Sequence, residues 1–105
     1  MSNFVKETLV YIADKEVKEF SLEFMFYDFY NKHGGDLSIP RTTGRSLKEL
    51  QAFLDSLPER AVNYDSGYGS QEWFGWISFK DGTWIERIEY DGSEWWESRE
   101  QPSLG

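Results

Sequence analysis

The chain has 105 residues, with 19 acidic and 11 basic side chains and a formal net charge of −8. This balance argues against direct binding to nucleic-acid phosphates, because that binding needs clustered Lys and Arg. The absence of cysteine excludes disulfides, thiolate metal sites and a thiol nucleophile. No apolar run approaches the ~20 residues of a membrane span, and the N-terminal residues lack a basic-then-apolar signal. The length predicts a single domain over residues 1–105, with 101–105 as a flexible tail, and its predicted strands and helices make it an α+β domain.

Two segments of the N-terminal third carry apolar patterns of different period. Residues 4–13 are rich in β-favouring side chains, with Thr8, Val10 and Ile12 on one side and Leu9 and Tyr11 on the other, which predicts a strand. Residues 21–33 favour a helix that starts at Ser21 and stops before Gly34, although several of their aromatic residues suit a strand equally well. The side chains at helical spacing are Leu22, Met25, Phe26, Phe29 and Tyr30.

The next helix is predicted more firmly, over residues 47–57. Ser46 and Glu49 have the spacing of a capping box, in which each side chain accepts from a free backbone N–H at the helix start. Its apolar stripe consists of Leu47, Leu50, Phe53, Leu54 and Leu57. Residues 34–45 before it read as a loop or short edge strand, and residues 62–70 after it as a mobile loop.

The last third predicts a three-stranded antiparallel meander over residues 73–79, 83–90 and 93–97. Asp81-Gly82 and Asp91-Gly92 separate these β-rich runs, and glycine supplies the positive φ that hairpin turns require. All five tryptophans lie in this third. We therefore predict an antiparallel sheet of about four strands, made of the N-terminal strand and the meander and packed against one or two helices.

A two-residue turn at Asp81-Gly82 would place Trp84 opposite Phe79 and Arg87 opposite Trp76. One face would then be apolar except for Glu86, and would meet the helices. The other face would carry Phe74, Trp76, Ile85, Arg87 and Glu89. Large aromatic residues would thus lie on both faces, whereas a solvated face is normally polar. Either a second layer covers that face, or an aromatic patch is exposed for binding.

Strand alternation also places Trp95 and Trp96 on opposite faces, so that one belongs to the core. The other must look outward or be covered.

The candidates for catalysis are weak. Glu86 with Glu89, or Glu94 with Glu97, would form acid–base pairs, but acidic side chains are abundant in this composition. His33 is the single histidine and has no nucleophile elbow beside it. Calcium-loop and phosphate-loop patterns are absent. We predict no enzyme, with no catalytic, cofactor-binding or metal-binding residues, and we expect Glu86 to pair with Arg99 if the second turn spans four residues.

Acidic residues are concentrated near the end of the chain. Residues 86–100 contain six acids and two bases. Such a row offers negative charge that a nucleic-acid-binding partner accepts in place of phosphates. The alternative is that charged edge strands deter aggregation of an aromatic-rich sheet.

Residues 81–97, with their Tyr-Asp-Gly-Ser-Glu-Trp-Trp core at 90–96, resemble a pattern in small uncharacterised proteins of phages and mobile elements. The resemblance covers part of the last third of the chain and carries over no functional residue. It implies a small acidic phage-type protein made in a bacterial cytoplasm, similar in setting to anti-CRISPR and antirestriction inhibitors.

These observations together predict an inhibitor that binds a basic, nucleic-acid-binding surface of a host defence protein by charge mimicry. It would contact neither nucleic acid nor membrane directly, and its oligomeric state stays open. The predicted partner-binding residues are Trp76, Glu86, Glu89, Asp91, Glu94, Trp95, Trp96 and Glu97. Two alternatives are an aromatic-platform module for carbohydrates or small ligands, and a phage structural or assembly protein.

Overall fold

The computed structural model describes residues 2–27, 35–64 and 71–100, which form a mixed helix and strand fold with a large antiparallel sheet. The sheet has five strands in the order β3-β2-β5-β6-β7, and β1 pairs with β4 separately. The α+β prediction is confirmed, and the sheet is larger than predicted. The elements in the described residues are β1 (Ser2–Asn3), α1 (Phe4–Ile12), β2 (Val17–Phe26), β3 (Leu37–Gly44), α2 (Leu47–Asp55), α3 (Glu59–Val62), β4 (Asn63–Tyr64), β5 (Trp73–Phe79), β6 (Thr83–Tyr90) and β7 (Ser93–Glu100).

The first segment is a helix, so the strand predicted over residues 4–13 is wrong. The Asn3 side chain caps α1 by accepting from the Lys6 backbone N–H at 3.0 Å. Phe4, Thr8 and Ile12, each four residues apart, are all buried, which is the spacing of one helix face. Asparagine is a favourable N-cap because its side chain satisfies one of the free N–H groups of the first turn.

The second segment is a strand where it is described, so the helix predicted over residues 21–33 is wrong for residues 21–26. Every second apolar residue of this strand is buried, namely Phe20, Leu22 and Phe24. Met25, which follows Phe24 near the end of the strand, is exposed. β2 pairs with β3 on one side and with β5 on the other. Residues 28–33, including His33, lie outside the described residues.

The edge-strand alternative for residues 34–45 is confirmed by β3, which lies at one edge of the described sheet. α2 is also confirmed, although it ends at Asp55 rather than at 57. The Ser46 hydroxyl accepts from the Glu49 N–H at 3.1 Å, and the Glu49 carboxylate accepts from the Arg45 N–H at 3.0 Å. In the usual capping box the Glu49 carboxylate would accept from the N–H of Ser46, the N-cap residue. Here it accepts from the N–H of Arg45, the residue before the N-cap.

The C-terminal meander is confirmed, but its first turn differs from the prediction. Ser78 pairs with Trp84, so Lys80, Asp81 and Gly82 together form the turn. Gly82 adopts a φ of 91° and its N–H donates to the Phe79 carbonyl at 3.2 Å. A left-handed glycine closing a three-residue loop is a common hairpin geometry.

This one-residue change in register reverses the two faces of β6, because side chains alternate along a strand. Ile85 and Arg87 face the core, whereas Trp84 and Glu86 face away from it. The predicted pairing of Trp76 with Arg87 is wrong, since Trp76 lies opposite Glu86.

The core lies between one face of the sheet and the helices. Trp73 stacks on Phe4 of α1 with ring centroids 3.7 Å apart, and its indole N–H donates to the Ala61 carbonyl of α3 at 2.9 Å. Leu50 and Leu54 of α2 belong to the same buried cluster. The described helices thus pack on a single face. We call the opposite face of the five-stranded sheet the open face. The loop predicted over 62–70 is wrong for residues 62–64, which end α3 and form β4. Residues 65–70 and the tail predicted at 101–105 lie outside the described residues.

Candidate binding surface

The open face carries a group of large apolar side chains. Because Trp73 and Ile77 point into the core, alternation places Phe74 and Trp76 of β5 on the open face. The pairing of β5 with β6 and of β6 with β7 places further apolar side chains from β6 and β7 on the same face. The complete group is Phe74, Trp76, Trp84, Ile88 and Trp95.

These side chains are only partly shielded. Trp95 is 39% exposed, and the other four are half-buried by their neighbours on the sheet. No described helix packs over them. A sheet face in contact with water normally carries polar side chains, so this concentration of rings is the feature that sets the surface apart.

Carboxylates and guanidiniums surround the rings. Arg99 Nε donates to Glu86 Oε1 at 2.7 Å, and Arg99 Nη2 lies 3.6 Å from Glu97 Oε2. The predicted Glu86–Arg99 pair therefore exists, but it lies on the open face and runs diagonally, because Glu97 is the residue directly opposite Glu86. The second turn spans two residues, since Tyr90 pairs with Ser93.

A second arginine lies on the other side of the same face. Arg41 Nη1 donates to the Ser21 hydroxyl at 2.6 Å, and Arg41 Nη2 pairs with the Glu23 carboxylate. The strand pairing and these contacts place more carboxylates than guanidiniums on the open face. The four carboxylates are Glu19, Glu23, Glu86 and Glu97.

A cleft of about 490 Å³ opens beside Trp76, where β2, β3 and the start of α2 meet. Its polar lining combines two carboxylates, two hydroxyls and one guanidinium. The lining residues that bear these groups are Glu19, Ser21, Thr43, Arg45 and Glu49. Sequence analysis missed this cleft because it depends on β2 being a strand.

The predicted partner-binding residues separate into three groups. Trp76, Glu86, Trp95 and Glu97 lie together on the open face. Glu89 and Asp91 are exposed at the β6–β7 turn, outside that face, and Glu89 Oε1 accepts from the Gly92 N–H at 3.1 Å.

Glu94 and Trp96 form the third group and point into the core. Glu94 is 4% exposed and accepts from the backbone N–H groups of Glu72 and Trp73 at 2.6 and 3.1 Å. The Trp96 indole N–H donates to the Thr8 hydroxyl at 2.9 Å. A partner cannot contact either side chain from outside the folded protein. The prediction that one of Trp95 and Trp96 belongs to the core is confirmed, and it is Trp96.

Arg87 is the centre of a buried polar cluster that sequence analysis did not predict. Its Nη2 donates to Glu94 Oε1 at 2.7 Å and to the Tyr64 hydroxyl at 2.9 Å. The Tyr64 hydroxyl in turn donates to Glu7 Oε2 at 2.6 Å. Burial raises the pKa of Tyr64 well above its ordinary value of 10.0, against the opposing charge of Arg87.

Aromatic rings enclose the Arg87 guanidinium. The rings of Phe4, Tyr64 and Trp96 lie 5.1–5.4 Å from its central carbon, within the range of cation–π contacts. The cluster joins α1 and β4 to β6 and β7. Among the described residues, Arg87 Nε and Nη1 have no hydrogen-bond partner, although Nη1 lies 3.9 Å from Glu7 Oε2. Because Arg87 and Glu94 are buried and contact each other, we assign the cluster to the stability of the fold rather than to binding.

Metal binding and membrane crossing find no support in the described residues. Over residues 2–27, 35–64 and 71–100, no group of three or more His, Cys, Asp or Glu side chains is arranged to hold a metal ion. Within the same ranges, no helix has both the length and the apolar character needed to cross a membrane.

Comparison with known proteins yields no match, whether to a family model, to a curated protein or to a solved structure.

Proposed function

We propose that this chain is a non-enzymatic binding protein whose open face docks on a basic surface of another protein. The observation that carries the proposal is the combination of partly exposed rings with an excess of carboxylates on one sheet face. Buried aromatic anchors supply much of the binding energy at protein interfaces, and complementary charge speeds association and selects partners.

The most concrete form of the proposal is a phage-type inhibitor of a bacterial defence protein, such as a CRISPR effector or a restriction enzyme. The net charge of −8 supports it, since a DNA- or RNA-binding surface presents Lys and Arg that carboxylates would engage. The resemblance of residues 81–97 to small phage proteins supports the same setting. Inhibition would then be competitive with nucleic acid.

The surface that we propose is smaller than the one expected from sequence. It retains Trp76, Glu86, Trp95 and Glu97, with Glu89 and Asp91 at its end. Glu94 and Trp96 are excluded because their side chains are buried.

The test measures inhibition of target-DNA cleavage by a purified CRISPR nuclease and by a restriction enzyme. The open-face variant Glu86→Gln/Trp95→Ala/Glu97→Gln should lose inhibition. A matched control, Leu9→Ala/Asp55→Asn/Glu59→Gln, removes one exposed apolar side chain and two carboxylates from the helices and should retain it. Inhibition should also weaken as salt rises, because exposed charges are screened within ~10 Å at 0.1 M ionic strength. Equal effects of the two variants, or indifference to salt, would count against charge mimicry.

The alternative is a carbohydrate-binding module that uses Trp76 as a stacking platform. The cleft beside that ring favours it, since Thr43 and Arg45 offer hydrogen bonds to a polyol. A sugar ligand would change tryptophan fluorescence equally at low and high salt, whereas the inhibitor predicts no response to oligosaccharides.

A further inference from the structure

We propose that the cleft beside Trp76 receives an arginine side chain of the basic partner, with its guanidinium against the indole and within reach of Glu19 and Glu49. The inference rests on the proposed function and specifies which group of the partner enters the surface. It follows from the shape of the cleft, its charges and the arginines that the open face already binds.

The walls of the cleft come from β2, β3, β5 and the start of α2, and the cleft is open to solvent. Its volume of about 490 Å³ falls within the range of pockets that hold a small ligand. Trp76 supplies an aromatic wall from β5, and its Cα partner on β2 is Ser21. Glu49 is held at the start of α2 by its capping contact with the Arg45 N–H.

The charges of the cleft favour a cation. Glu19 and Glu49 contribute two carboxylates against the single guanidinium of Arg45. Within the part of the chain that the structure describes, neither carboxylate is ion-paired, whereas Glu23, Glu86 and Glu97 of the open face all are. Glu19 and Glu49 can therefore pair with an incoming cation without first losing an internal ion pair.

The open face already binds two guanidiniums of its own on either side of Trp76. On the adjacent strands, Trp76 lies opposite Ser21 on one side and Glu86 on the other. Ser21 accepts a hydrogen bond from Arg41, and Glu86 accepts one from Arg99. Arginine suits such a site better than lysine, because the planar guanidinium stacks on an aromatic ring while donating to carboxylates at its edge.

A sugar fits the same cleft less well. The Ser21 hydroxyl already accepts from Arg41 Nη1, which reduces the hydrogen bonds that the lining can offer to a polyol. Two carboxylates without ion pairs are also better matched to a cation than to a neutral ligand.

The test uses hexa-arginine peptide, titrated into the full chain by calorimetry at low salt. The variant Glu19→Gln/Glu49→Gln should weaken binding about five- to tenfold, since two charge-assisted contacts are lost. Glutamine at position 49 still accepts from the Arg45 N–H. The matched control Asp55→Asn/Glu59→Gln has the same net charge and should change the dissociation constant less than about twofold. Hexa-lysine should bind more weakly than hexa-arginine, and the indole resonance of Trp76 should shift with arginine.

Equal weakening by the two double variants would overturn the cleft assignment, because the peptide would then sense only the overall charge. Absence of binding to hexa-arginine would overturn it as well. Neither result decides the proposed function, which is judged separately by inhibition of the defence enzymes. A Trp76 shift caused by cellohexaose and not by hexa-arginine would reassign the cleft to a carbohydrate.

Discussion

Arg87 donates to Glu94 at 2.7 Å between β6 and β7, and the side chains of both residues are almost completely withdrawn from solvent. Burying such a pair costs desolvation energy, and further hydrogen bonds of both residues offset part of that cost here. Glu94 also accepts from two backbone N–H groups, and Arg87 also donates to Tyr64. Removing one partner would leave a charge and its hydrogen-bonding groups unpaired in the core.

Arg87→Met and Glu94→Ala should therefore each lower the free energy of unfolding by about 3–5 kcal/mol, the range found when one partner of a buried pair is removed. Urea denaturation followed by tryptophan fluorescence measures this loss. The control is Arg99→Met, which breaks the partly exposed pair with Glu86 and should cost about 1 kcal/mol or less. A comparable loss in both arginine variants would contradict the structural role that we assign to Arg87.

The folded protein should lose stability in alkali because of Tyr64. Its pKa is raised by burial, so the unfolded state releases the phenolic proton at a lower pH than the folded state does. The contribution of Tyr64 is complete below the ordinary pKa of 10.0 and declines as the pH rises above it. Denaturation in urea at pH 8, 9, 10 and 11 should show a smaller decline for Tyr64→Phe than for the wild type. Parallel curves for the two proteins would exclude this contribution.

Gly75 should not accept a side chain. It adopts a φ of 128°, and an added Cβ would lie 1.9 Å from the Ser21 carbonyl oxygen on the neighbouring strand. Gly75→Ala should therefore separate β2 from β5 and prevent cooperative folding, as seen by circular dichroism. Gly82→Ala is the matched control, since its φ is 91° but nothing lies within 4 Å of its added Cβ. That variant should fold, with a loss of about 1–2 kcal/mol from backbone strain alone.

Collisional quenching should report the charge around the exposed rings. Trp95 is 39% exposed beside acidic neighbours, whereas Trp73 and Trp96 are buried. Caesium should quench the accessible fluorescence more efficiently than iodide at low salt, because the carboxylates attract cations and repel anions. The difference should shrink at high salt and in Trp95→Phe. More efficient quenching by iodide would show that the surface around Trp95 is not anionic.

Local signals in the sequence predicted several elements correctly. Ser46 and Glu49 mark the start of α2, and the Asp-Gly pairs mark the turns of the meander. These features depend on hydrogen bonds between residues close in sequence, so the local pattern contains the information. The cap of α1 is local as well, since the Asn3 side chain accepts from the Lys6 N–H, but the β-rich composition of residues 4–13 favoured a strand there.

Pattern alone misjudged β2 because its apolar residues satisfy two periods at once. Leu22 and Phe26 suit a helix face, whereas Phe20, Leu22 and Phe24 suit a strand face. Pairing with β3 and β5 on both sides selects the strand, and those partners are distant in sequence.

The amino-acid sequence by itself determined the α+β class, the meander, α2 and the acidic, aromatic composition of the last third, because composition and short-range hydrogen bonds are local properties. Only the tertiary structure decided which rings and charges face outward. A single extra residue in the turn before β6 sends Arg87 inward to Glu94 and turns Glu86 outward beside Trp76. That choice depends on the register between strands, which the combined packing of the core and the sheet selects.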